Sequence, residues 1–352
     1  MDSKPEGILY ISFNQDYGCF VCGTESSIRV YNSIPYKGTF KRSFKTGISC
    51  VSMLDRTNIL AFIGNNTKVK YPKKKVMIWD DRQEKCIAEL SFNWDVKSIK
   101  LRKERIVVVT ENKIYIFNFA DLKFIRAIDT FDNPLGLCAV SSDGEFKIAC
   151  PSVNKGYLHI INSDGTSKET KAHESALSTI TMTSDGKMCA TTSDKGTLIR
   201  IFESASGKLV QELRRGSDKA EIQSVCFDPT GTWIACSSDK ETIHIFSVRE
   251  DITTASHISL SESTISRSIN HSAKNPTSLL KFMKGIVPYL NSEWSFAQFR
   301  IPHKRAIVGF GEPGKPQIIV VTYDGKYYKA EFDPKSGGEC NKIEEKYLFS
   351  DK

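Results

Sequence analysis

Two adjacent arginines in Leu213-Arg214-Arg215-Gly216 carry the strongest chemical signal in the chain. Side chains on an extended segment alternate between opposite faces. One strand end is therefore expected to aim Arg214 into one surface pocket and Arg215 into the next. Guanidinium groups hold phosphate through paired N–H bonds, so two such pockets would suit phosphorylated groups. Taken alone, the same residues also read as a pair that ends a strand in water. Other combinations carry less. Cys19 and Cys22 form a CxxC, but no second pair or neighbouring His completes a zinc site. Gly309-Phe310-Gly311-Glu312-Pro313-Gly314 fits the dinucleotide pattern, yet Pro313 and Pro316 block the helix that would hold a pyrophosphate. That stretch reads as a hairpin loop. Without a serine nucleophile elbow, a carboxylate pair or a metal-ligand cluster, neither an enzyme nor a cofactor nor a bound metal is expected.

Composition limits the partners. The 352 residues include 49 Lys and Arg against 41 Asp and Glu, a net charge of +8. Such a mild basic excess fits an anionic partner, membrane surface or nucleic acid, without choosing between them. Ten cysteines are scattered through strand-like segments and read as small buried residues in a reducing compartment. Met1 to Gly7 has no apolar leader core, and no apolar run approaches the ~18 residues that span a bilayer. The expectation is a soluble, intracellular protein that meets membranes peripherally.

The elements that must position the arginines recur along the chain. Alternating apolar residues end in an aromatic or large aliphatic residue at Ile28-Arg29-Val30-Tyr31, Val76-Met77-Ile78-Trp79, Ile114-Tyr115-Ile116-Phe117, Leu158-His159-Ile160-Ile161, Ile199-Arg200-Ile201-Phe202 and Ile243-His244-Ile245-Phe246. A further copy is Tyr328-Lys329-Ala330-Glu331-Phe332. Spacings of roughly 40 to 48 residues suit four-stranded propeller blades. The pattern predicts an all-β, seven-bladed β-propeller of the WD-repeat kind over residues 1–352, as one domain. The last interval is about double, which places an insertion over residues 248–293 in blade six. Thr253 to Ser278 is Ser/Thr-rich with few aromatics, a composition of disorder. Leu279 to Leu290 alternates apolar residues with lysines at the spacing of a short amphipathic helix.

The propeller repeat, the double-arginine motif after the fifth blade and the long loop in the sixth together resemble the PROPPINs, β-propellers that bind phosphoinositides. Phe13-Asn14-Gln15-Asp16, Tyr71-Pro72-Lys73-Lys74-Lys75-Val76-Met77-Ile78-Trp79-Asp80-Asp81 and Leu213-Arg214-Arg215-Gly216-Ser217 narrow the resemblance to the short-chained WIPI branch, that of the third and fourth human paralogues. It runs from about Leu9 to Phe349. The resemblance implies a non-enzymatic effector of phosphatidylinositol 3-phosphate and phosphatidylinositol 3,5-bisphosphate, a scaffold recruited to membranes in autophagy. It implies a cytoplasmic monomer, peripheral on preautophagosomal or phagophore membranes and on endosomal and lysosomal or vacuolar ones. The large autophagy lipid-transfer protein would be its partner.

By the same resemblance, a first lipid pocket uses Arg214 with His173, Ser193, Thr197 and Arg200, and a second uses Arg215 with Ser237, Thr242 and His244. His173 and Ser193 also suit the structural hydrogen-bond networks of WD repeats. The amphipathic stretch implies membrane insertion through Leu279, Leu280, Phe282, Met283, Ile286 and Val287, with Lys281 and Lys284 facing anionic lipid. The alternative is that it folds back onto the propeller wall. Asn14 and Asp16 would hold the protein partner or simply close a hairpin as an Asx-turn. Two other functions remain open: a WD-repeat scaffold that binds only peptides, and a propeller that binds nucleic acid. The lysine-flanked apolar stretch has no role in either, and nucleic acid is not expected.

Overall fold

Strands that are buried at every position dictate the architecture: Cys19–Thr24, Met188–Ser193, Trp233–Ser238 and Gln317–Thr322 are examples. Such a strand needs apolar cover on both faces, and a sheet packed on either side supplies it. The computed structural model describes residues 7–65, 71–249, 273–277 and 293–349. In it seven sheets follow one another, beginning at residues 8, 48, 98, 139, 177, 222 and 306, antiparallel except for one added parallel strand in each of the fifth and sixth. Strands within a sheet lie in chain order. The first strands line the centre: Ile8–Phe13 touches Ile48–Met53 on one side and Ala306–Phe310 on the other. This is the seven-bladed β-propeller that the repeat predicts. The glycine-rich stretch after Phe310 is a hairpin loop, because Ala306–Phe310 and Gln317–Thr322 pair antiparallel.

No strand is exchanged where the ring closes, since blade 1 is wholly N-terminal and blade 7 wholly C-terminal. Aromatic side chains hold that seam. Phe20 stacks on Tyr31 at 5.0 Å between centroids, and Tyr36 meets Tyr327 of blade 7 at 4.6 Å. Tyr327 Oη donates to Ser33 O at 2.7 Å, and Tyr31 Oη donates to Leu348 O at 2.5 Å. Each fully buried aromatic contributes about 1.5–3 kcal/mol. The turn after Phe13 adds a brace. Gln15 Nε2 donates to Met53 O and Leu101 O at 3.0 and 2.8 Å, and Gln15 Oε1 accepts from Asp55 N at 2.8 Å. Tyr17 Oη reaches across to Phe227 O at 2.7 Å. One turn of blade 1 thus ties blades 2, 3 and 6 together.

In blade 6, Thr242–Ser247 pairs with Ala297–Arg300 across the stretch read as an insertion. Leu279, Leu280, Phe282, Met283, Ile286 and Val287, the expected membrane-inserting residues, lie outside the described residues.

Candidate functional site

The double arginine closes the outer strand of blade 5, Leu209–Arg214, which pairs with Leu198–Glu203 so that Arg214 faces Leu198 and Glu212 faces Arg200. Leu213 is fully buried in a cluster with Ile199, Ile234 and Phe246, which pins the strand end to blade 6. Arg214 remains half-buried at the edge, with Nη1 3.4 Å from Gly216 O. Arg215 behaves differently. Its backbone N donates to Thr197 O at 2.9 Å, its Nε donates to Gly196 O at 2.9 Å, and its Nη2 donates to Asp218 O. Only 6% of Arg215 is exposed. Both arginines were expected on the surface; for Arg215 this is corrected, because two backbone carbonyls draw its guanidinium under the turn. That turn depends on Gly196, whose φ is +63° and whose added Cβ would stand 1.9 Å from Ala220 O.

Of the first set, His173, Ser193, Thr197 and Arg200 gather at the seam between blades 4 and 5. His173 is buried with Nε2 3.0 Å from Thr191 Oγ1. Burial, helped by the Arg200 charge, pushes its imidazole down to about 4. Arg200 is engaged on three sides: Nε and Nη2 reach Glu212 Oε2 at 2.9 and 2.8 Å, and Nη1 donates to Ala172 O at 2.7 Å. Ser193 is buried in the same turn as Gly196, with its carbonyl accepting Gly196 N at 2.8 Å. Thr197 is half-buried beside Arg215.

Of the second set, Arg215 acts on His244 through its charge. Burial and the Arg215 charge push the His244 imidazole down to about 4, and its Nδ1 lies 3.2 Å from Ser295 Oγ. Thr242 is half-buried on the same strand. Ser237 departs from the set. It is 1% exposed, and its hydroxyl donates to Ala306 O of blade 7 at 2.7 Å, facing the next blade rather than a rim pocket. Sequence reasoning missed Arg300, which sits opposite Thr242 on the next strand with its side chain 76% exposed. It also missed Gln298, opposite His244, whose Nε2 donates to Ser295 Oγ at 2.9 Å. Only strand register, read across the insertion, would have found them.

Asn14 also needs correction as a partner-binding group. It is 4% exposed; its Oδ1 accepts Cys19 N at 2.9 Å and its Nδ2 donates to Asp55 O at 3.2 Å. Those bonds close the hairpin and leave the amide inside the molecule. Asp16 stays outside, paired with Arg56 at 2.9 Å and accepting Gly18 N. Cys19 and Cys22 are both buried with thiols pushed up by burial, unlike a reactive or metal-binding pair.

An anion reaching this edge would meet arginine charge without a histidine first taking up a proton. Arginine charge lies along one edge of blades 5 and 6, and both histidines beside it are neutral near pH 7.

The PROPPIN family model matches residues 8–349. Autophagy-related protein 18e of Arabidopsis thaliana is 36% identical over 97% of this chain and 88% of its own. Autophagy-related protein 18 of Dictyostelium discoideum is 32% identical over 97% and 93%. Hsv2 of Kluyveromyces lactis superimposes with a TM-score of 0.76 at 25% identity, covering 97% of this chain and 99% of that one. KlAtg21, solved in complex with the coiled coil of AgAtg16, has the same fold, with a TM-score of 0.76 at 21% identity over 97% and 99%. With the match spanning all seven blades and both arginines, the chain belongs to the PROPPIN family of phosphoinositide-binding, non-enzymatic propellers of autophagy.

Proposed function

We propose that the protein is an effector of phosphatidylinositol 3-phosphate and phosphatidylinositol 3,5-bisphosphate that reads headgroups at two places on the edge of blades 5 and 6. The observation that supports this reading is the divergence of the two arginines. Arg214 stays at the edge of blade 5, while Arg215 turns under Gly196 and acts on His244 of blade 6. Phosphate oxygens accept only, and arginine, neutral imidazole N–H and hydroxyl groups supply the donors. In the second pocket Arg300 and Gln298 stand with Thr242 and His244 where Ser237 does not.

Two headgroups bound on neighbouring blades stand the disc on its rim. The blade-six insertion then enters the bilayer, and the opposite rim is open to a protein such as a large lipid-transfer partner. The protein works there as a monomeric scaffold on phagophore, endosomal and lysosomal or vacuolar membranes. Among the described residues no helix is long and apolar enough to cross a membrane. Sedimentation with liposomes that contain or lack phosphatidylinositol 3-phosphate tests the reading. Lipid-dependent pelleting is expected, and equal pelleting with both would favour a peptide-binding scaffold instead.

A further inference from the structure

One buried carboxylate gathers the ends of the insertion onto the arginine strand. Glu293 is 9% exposed, and four N–H groups converge on it. Arg249 Nη2 and Nε approach Oε1 at 2.6 and 3.0 Å, while Gln211 Nε2 and Asn275 Nδ2 approach Oε2 at 2.7 and 2.8 Å. Gln211 belongs to the strand that ends in Arg214, and its Oε1 also accepts Arg249 N at 3.1 Å. Asn275 is locked to Ser247 by a reciprocal pair, each bond 2.7 Å long.

The backbone follows the same plan. Glu293–Trp294 runs parallel to Leu213 and Arg214, which makes it a fifth strand of blade 5. Thr277 bridges to Glu293, and Trp294 N donates to Pro276 O at 2.8 Å. At the other end Ser247 Oγ donates to Ala273 O at 3.2 Å. Arg249 and Asn275 thus share one network with Gln211 and Glu293, and Glu293–Trp294 lies along Leu213 and Arg214.

We infer that Glu293 is a positioning residue for headgroup recognition: its carboxylate fixes the strand that holds Arg214 and fastens the insertion to it. The inference rests on the reading of Arg214 as a headgroup ligand. A carboxylate is required because all four converging groups are donors. A glutamine there would turn an NH2 toward at least one of them. Burial raises the cost of such a mismatch, since a partly satisfied buried network is worse than none.

The test is a double-mutant cycle in the full-length chain, read as affinity for soluble inositol 1,3-bisphosphate by calorimetry. Glu293→Gln should weaken headgroup binding roughly three- to tenfold, the scale of one ordinary hydrogen bond. That loss should disappear in an Arg214→Thr background and persist in an Arg215→Thr background, which general destabilisation would not produce. If Glu293→Gln does not fold, Arg249→Met serves in the same cycle, since it removes the exposed donor and leaves the buried trio. An unchanged affinity, or an equal loss in both backgrounds, overturns the inference while the headgroup reading stands. If Arg214→Thr with Arg215→Thr binds as well as the parent chain, the headgroup reading falls and the inference falls with it.

Discussion

The Arg215 charge acts on His244 across the seam between blades 5 and 6, where burial first and that charge second push the imidazole down to about 4. His173 stands in the same relation to Arg200 at the preceding seam, also at about 4. Both imidazoles are lowered from 6.5, so the fold disfavours their protonated forms. Their contribution to stability is complete above the unfolded value and is lost as pH falls toward the folded one. Denaturant midpoints should therefore decline between pH 6.5 and about 4. Each histidine contributes at most about 1.4 kcal/mol per pH unit. The double variant His173→Gln, His244→Gln should decline less steeply over that window; an identical slope would assign the acid sensitivity to other groups.

The two arginines should separate stability from binding. Arg215→Thr bares the carbonyls of Gly196 and Asp218 and should cost about 1–3 kcal/mol. Arg214→Thr, at the strand edge, should cost less. Either single variant should retain weak recruitment to liposomes with phosphatidylinositol 3-phosphate, because one remaining site loses only the avidity of the pair. The double variant should lose recruitment and still unfold cooperatively. Wild-type sedimentation by the double variant would remove the headgroup reading.

How much of this was legible in sequence depends on how far apart in the chain the partners lie. Seven third strands could be read because Ile28, Val76, Ile114, Leu158, Ile199, Ile243 and Tyr328 begin or lie in short runs of local alternation, with most of them buried. Period two also put Arg214 and Arg215 on different sides. What it could not show is that Arg215 lies past the strand end, where a carbonyl from the turn at Gly196 captures it. Asn14 looked available for the same reason, because Asp55 belongs to the next blade. Glu293 gave no signal at all: its partner Gln211 lies far upstream, and Arg249 and Asn275 lie well apart within the insertion.

Gly196 is the backbone hinge of the site. Alanine there meets a left-handed φ of +63° and places its Cβ 1.9 Å from Ala220 O. Gly196→Ala should cost more than about 1 kcal/mol and should weaken headgroup binding by displacing the carbonyl that holds Arg215. Calorimetric unfolding and headgroup titration check both parts. A variant of parental stability would mean that the turn relaxes freely.

Asn14 and Asp16 should give opposite results. Asn14→Ala removes two bonds inside the brace and should lower stability by about 1–2 kcal/mol. Asp16→Ala removes an exposed ion pair with Arg56 and should change stability by less than about 1 kcal/mol. Asp16→Ala is therefore the variant for testing partner capture on the side away from the membrane. Reduced pull-down of the lipid-transfer partner, with liposome binding intact, would give that turn a recognition role beyond bracing. Full retention would leave it a brace alone.

The insertion should supply membrane affinity of its own, distinct from headgroup recognition. Its amphipathic stretch carries Phe282 and Met283 between Lys281 and Lys284, and its flanks Thr277 and Glu293 are bridged beside the arginine strand. On the proposed headgroup reading, whatever entered the bilayer from that point would do so beside Arg214. Each apolar side chain fully buried in acyl chains contributes about 1.5–3 kcal/mol. Phe282→Ser with Met283→Ser should therefore weaken liposome binding by an order of magnitude or more. Affinity for soluble inositol 1,3-bisphosphate should not change, because neither side chain has a donor to offer phosphate oxygens. The contrast with Glu293→Gln is the informative one, since that substitution should weaken the soluble interaction as well. An equal loss in both assays from the Phe282 and Met283 changes would mean that the stretch supports the propeller wall instead of the membrane.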